Sequence, residues 1–186
     1  MLGRSMICVL AGDYAQGSKQ ALGPHSLARL EGACEKYKGL GKEIMFVFSA
    51  GRLTPEDARL CDLQADYVRA QGFTDWVPRG EAHALVWGSK AELRFFRKRL
   101  GEKLGLRGEV WTENFHRGRS KLLGRHKANL WDNVKFIGVD NTGTPPTRRA
   151  KWHERLGMLE AFVPDWVFAL PKQIRQAFLR WNIITY

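Results

Sequence analysis

The chain has 186 residues, a length suited to one domain with a sizeable core, and its 44% hydrophobic and 26% charged content excludes wholesale disorder. The formal net charge of +11 is unevenly placed: residues 1–89 hold ten Lys/Arg against ten Asp/Glu, residues 90–127 twelve against four, and the remainder eight against five. No window approaches the ~20 apolar residues of a membrane-spanning helix, and the apolar run after Arg4 is too short for a secretory leader, so a cytoplasmic protein without an integral membrane segment is expected.

In chain order, Met6 to Ala11 is a short continuous apolar run closed by Gly12, the pattern of a strand buried on both faces of a parallel sheet. A polar loop of about a dozen residues follows, longer than such connections usually are and suited to a lid. From His25 onward, Leu27, Leu30, Cys34 and Tyr37 recur at helical spacing until Gly39 and Gly41. Ile44 to Ser49 reads as a second buried strand. Thr54, Pro55, Glu56 and Asp57 then supply the cap, first-turn proline and acids of a helix running to about Gln71. A short segment at Trp76 and Val77 is ended by Pro78.

Ser89 and Glu92 have the spacing of a capping box, so a basic helix starts there with Leu93, Phe96, Leu100 and Leu104 as its apolar stripe. Strands are expected at Glu109 to Thr112 and Val134 to Val139, with a helix from about Phe115 to His126 between them. Strand followed by helix, repeated, is the signature of βαβ units and of an α/β fold with a mostly parallel sheet. After Asp140 the texture changes to a turn-rich linker and two helical patterns, Ala150 to Phe162 and Asp165 to Trp181. The chain thus divides into an αβα domain over residues 1–142 and a C-terminal helical extension over 143–186 packed on it.

In such sheets ligands bind outside the carboxyl ends of the strands, so the informative residues are those just after each strand. These are Gly12 and Asp13; Ser49, Gly51 and Arg52; Glu81 and His83; and the TENFHRGR stretch with Thr112, Asn114, His116 and Arg119. The last puts a hydroxyl, an amide, an imidazole and two guanidiniums at a strand-to-helix junction, a pattern that suits a carboxylate or phosphate. Acid/base chemistry would fall to Asp13, Glu81 or His116. Glycine spacing matches neither the dinucleotide fingerprint nor the P-loop. Cys8, Cys34 and Cys61 lie far apart with no CxxC pair and read as buried reduced thiols. The five histidines have no metal-ligand spacing, and no metal site is expected.

These strand-end segments resemble the YdcF-like proteins, related to SanA and ElyC and gathered as domain of unknown function family 218. The resemblance rests on Ile7 to Gly12, on Arg29, Leu30 and Ala33, on Ser49, Ala50 and Gly51, on Glu81, and on Val110, Thr112, His116, Arg119 and Ser120, in that order over residues 6–140. It departs from the family pattern at Asp13 and Ala50, where glycines are usual, and in the stretch after Glu81. The resemblance implies a three-layer αβα, Rossmann-like domain with Arg29 among its ligand-binding residues. It also implies a cleft for a nucleotide-like ligand, S-adenosylmethionine having been associated with the group.

Two functions follow as expectations. The first is a domain that binds a small anionic or nucleotide-like molecule at the strand carboxyl ends. The second is a nucleic-acid-binding module that uses the basic segment 90–127 with Phe95, Phe96, Trp111 and Phe115. For the aromatics at the C-terminus, Trp166, Phe168, Phe178 and Trp181, core packing is a simpler reading than a membrane contact.

Overall fold

The computed structural model describes residues 5–10, 12–40, 44–48, 57–73, 89–102, 107–130, 133–140, 148–158 and 161–162. Its centre is a four-stranded sheet built from β1 (Ser5–Val9), β4 (Ile44–Val47), β5 (Arg107–Glu113) and β6 (Val134–Val139), in the order β4-β1-β5-β6. Every pairing is parallel, with Ser5 opposite both Ile44 and Arg107, and Gly108 opposite Val134. The sequence favours this because MICV, IMFV and the middle of β5 are apolar on both faces, as strands sandwiched between helices must be.

Alternation along β1 divides the core. Ile7 and Val9 face a layer formed by α1 (Pro24–Lys36) and α2 (Leu60–Ala70), where they join Leu30, Phe46, Val68 and Trp111. Met6, Cys8 and Leu10 face the opposite layer, where α3 (Ser89–Glu102) contributes Leu93, Phe96 and Leu100 and α4 (Asn114–Ala128) contributes Leu123. The result is a three-layer αβα domain. Helix α5 (Arg148–Met158) packs on α4, and two glycines allow the approach. A Cβ at Gly157 would sit 2.9 Å from Arg119 Nε, and one at Gly118 would sit 3.0 Å from Met158 Cε. Glycine at position 32 does the same for α1, since a Cβ there would come within 2.8 Å of Val139 Cγ1.

Two expectations need correction. The stretch after β1 is not a long loop but a hairpin, β2 (Tyr14–Ala15) and β3 (Ser18–Leu22), paired antiparallel around Gly17, whose φ of 78° suits the turn. Helix α2 begins at Leu60 rather than near Thr54, and the reason lies in the hairpin. The N–H of Ala58 donates to Lys19 O at 3.2 Å and its carbonyl accepts the Tyr14 hydroxyl at 2.7 Å, so the backbone there is committed to the hairpin and Arg59 becomes the N-cap. The expected elements around Trp76–Val77 and 165–181 lie outside the described residues. Elsewhere the expected and observed elements coincide to within a few residues. Among the described residues no helix is long and apolar enough to cross a membrane.

Candidate functional site

The order β4-β1-β5-β6 means that the chain leaves β1 toward β4 on one side and later returns to β5 on the other. Helix α1 lies on one face and α4 on the opposite face, so the connections diverge between the carboxyl ends of β1 and β5. In doubly wound sheets such a switch point is the place where ligands bind.

A chain of three side chains links the carboxyl ends of β1 and β5. Along β5, Glu109, Trp111 and Glu113 share the face turned toward α1, and Glu113 is the last residue of the strand. Arg29 sits on the buried stripe of α1 with Ser26, Leu30 and Ala33. Its Nη1 donates to the Leu10 carbonyl just past β1 at 2.9 Å, and its Nη2 donates to Glu113 Oε2 at 2.8 Å. Glu113 Oε1 meets His25 Nδ1 at 2.5 Å. The side chains of Arg29 and Glu113 are 4% and 2% exposed, whereas that of His25 is 34% exposed, so the network runs from the interior to the surface.

Burial pushes the Glu113 carboxyl up, but the hydrogen bonds from His25 and Arg29 outweigh it and hold the group below the usual carboxylate range. Glu113 is therefore ionised at neutral pH. An ionised carboxylate accepts only, so in the neutral imidazole of His25 the proton belongs on Nδ1 and the lone pair on Nε2. This is the arrangement by which a buried acid fixes the tautomer and orientation of a histidine that exchanges protons.

The turn after β1 holds α1 in place beneath this network. Asp13 Oδ1 accepts the backbone N–H groups of His25 and Ser26, each at 3.1 Å, and so caps α1 from outside the helix. The Ser26 hydroxyl donates to Asp13 O at 2.7 Å and accepts Asp13 N–H at 2.9 Å. Gly12 is required here because a Cβ would lie 2.7 Å from Ser26 N. The hairpin is fastened in turn to the start of α2, with Lys19 Nζ 3.6 Å from Asp57 Oδ2.

The remaining expected residues cluster where α4 leaves β5. Thr112 is buried opposite Gly138. The Asn114 amide donates to Asp140 Oδ1 at 2.6 Å, joining the ends of β5 and β6. His116 Nδ1 lies 2.7 Å and Arg119 Nη1 3.9 Å from Oε2 of Glu154 on α5. The anionic partner these two meet is thus a carboxylate of the chain itself. Ser49, Gly51, Arg52 and Glu81 lie outside the described residues. Among the described residues no group of three His, Cys, Asp or Glu is placed to hold a metal ion.

The sequence pattern assigns no role to His25, Glu113 or Glu154. Glu113 had a legible signal: Glu109 and Glu113 are four apart in a strand that is buried from Gly108 onward, so both turn the same way and both need partners. His25 follows the first-turn proline of α1, which places it at the helix entrance but says nothing of its partner. Glu154 carries no comparable signal, because its role depends on how α5 packs. No family model matches the chain, and no curated protein or solved structure matches it.

Proposed function

We propose that the protein binds a nucleotide-like small molecule in the crevice between the carboxyl ends of β1 and β5, and that His25 exchanges a proton with a hydroxyl or amine of that ligand. The observation that carries this reading is the chain Arg29–Glu113–His25, which links the two strand ends and terminates in a partly exposed, acid-oriented imidazole. The cap on α1 narrows the chemistry. Asp13 already occupies the helix N-terminus with a carboxylate, so the group that meets this end is a hydroxyl or an amine rather than a phosphate. A sugar hydroxyl or the amine of an S-adenosylmethionine-like molecule meets that requirement, which agrees with the resemblance to the YdcF-like family.

The test is a thermal-shift screen against adenosine-containing ligands, S-adenosylmethionine among them, and sugar phosphates, run on the unaltered protein and on His25→Ala. A ligand at about 100 times its Kd adds ~2.7 kcal/mol, which for a chain of this size raises Tm by roughly 5–10 °C. The reading requires a shift that His25→Ala abolishes. A shift of equal size in both proteins, or none with any ligand, overturns it.

A further inference from the structure

The two helical layers differ sharply in charge. Helices α3, α4 and α5 together carry 14 Lys/Arg against three acids, whereas α1 and α2 carry three against four. Two of the three acids, Glu92 and Glu154, are buried and turn away from solvent. Arg97 and Lys98 of α3, Arg117 and Lys121 of α4, and Lys151 and Arg155 of α5 are all exposed. Two of these pairs, Arg117 with Lys121 and Lys151 with Arg155, are like charges at i,i+4, each of which costs an isolated helix about 0.2–0.5 kcal/mol. A surface that serves only solubility intersperses both signs, so this one is charged at the expense of its own helices.

We propose that the outer face of the α3–α4–α5 layer docks single-stranded nucleic acid, with backbone phosphates on these cations and an unpaired base stacked on Trp152. The proposal is independent of the crevice reading. Trp152 is 55% exposed and shares a face of α5 with the exposed Arg155 three residues on, the combination of aromatic platform and phosphate-tracking cation on which single strands bind. Within segment 90–127 Phe96 and Trp111 are core residues, while Phe95 and Phe115 are half-buried, the first under Arg99 and the second against His116, so Trp152 is the more open platform. A membrane surface fits less well. The apolar stripes of α3 and α4 are spent on the core, and among the described residues the exposed large hydrophobics are Trp152 and Phe162, far short of the broad apolar face of an interfacial helix.

The experiment is fluorescence anisotropy of the full chain with labelled 20-nucleotide oligo(dT) and oligo(U) across a salt series. With six phosphates neutralised the logarithmic salt slope is about −4, so affinity falls by roughly 300-fold between 50 and 200 mM salt. Arg97→Glu combined with Lys121→Glu reduces the magnitude of the slope by about 1.4. Trp152→Ala weakens binding by about tenfold and leaves the slope unchanged. All three positions are exposed, so the melting temperature reports whether each variant keeps its fold. Salt-insensitive binding, binding untouched by the double substitution in a folded protein, or sedimentation with phosphatidylserine vesicles in the absence of oligonucleotide binding each overturns the proposal.

Discussion

Strand β5 carries two buried glutamates on the same face, and α1 meets each with a cation, yet the two ends of this pairing are built differently. At the amino end Lys36 Nζ lies 2.7 Å from Glu109 Oε1, and the other oxygen accepts the Trp111 indole N–H at 3.0 Å. At the carboxyl end Arg29 meets Glu113 and the other oxygen goes to His25. The registers agree: seven residues of helix span ~10 Å and four of strand ~13 Å, close enough for long side chains to bridge the difference. Lys36 keeps 41% of its side chain exposed and rests on two aromatic rings, Tyr37 and Trp111, whereas Arg29 is wholly inside. The amino-end acid is closed off by tryptophan and serves packing. The carboxyl-end acid keeps its charge and orients an imidazole that reaches the surface, a contact that packing alone does not require.

Removing the acid at each end breaks this comparison most directly. Glu113→Gln leaves the buried Arg29 guanidinium with a neutral partner and is expected to cost about 3 kcal/mol, since a buried ion pair stripped of one charge is penalised far more than a solvated one. Glu109→Gln keeps an acceptor for the indole and leaves a lysine that reaches water, so about 1 kcal/mol is expected. Urea unfolding of the two variants measures the difference. Equal losses would mean that the carboxyl-end network is no more demanding than ordinary packing.

The ends also respond at opposite extremes of pH. Glu113 is held below the usual carboxylate range, so the stability it contributes is complete above about pH 4.3 and is lost as pH falls through its lower folded value. At the other end, partial burial pulls the Lys36 ammonium down, but hydrogen bonding to Glu109 more than offsets this and leaves it above the usual lysine range. Its contribution is present below about pH 10.4 and is lost as pH rises through the folded value. Tyr37, whose phenol is pushed up by burial and by Glu109, acts in the same direction. A stability profile of Glu113→Gln is therefore expected to flatten on the acid side and to keep the alkaline decline. A variant that keeps the acid decline of the unaltered protein shows that other groups govern it.

The contrast between the two glutamates also marks how far the sequence could be read. The central strands were legible because continuous apolar runs have few alternatives in a chain that alternates strand and helix. The hairpin was not, because β3 exposes Ser18 to Ala21 and so lacks the apolar alternation that signals a strand. The start of α2 was misplaced for the same reason, since Ala58 answers to that hairpin across 39 residues of sequence. Of the residues expected at the strand ends, Gly12 and Asp13 lie in the turn that caps α1, Arg29 lies in the network with Glu113, and Thr112 lies apart from it, opposite Gly138. What joins Arg29 to the strand ends is a pairing with Glu113, which local patterning groups with the helix that follows rather than with the strand it closes.

The finest probe of the difference is Cys34, which lies on α1 between Arg29 and Lys36. Burial pushes its thiol up to about 12, so at pH 8 its thiolate fraction is about three orders of magnitude below that of a free cysteine. Alkylation then depends on how far motion of α1 opens the pocket that Cys34 lines with Glu31, Glu35, Tyr67 and Phe73. Cys61 on α2 is a control in the same layer, its thiol raised to about 11 chiefly by burial. If the Arg29 end anchors α1, Glu113→Gln accelerates modification of Cys34 several-fold more than Glu109→Gln does, and Cys61 follows neither. Parallel acceleration of both thiols would instead assign the effect to global unfolding. Equal acceleration of Cys34 by the two variants would make the ends mechanically equivalent and leave their difference to the exposed imidazole alone.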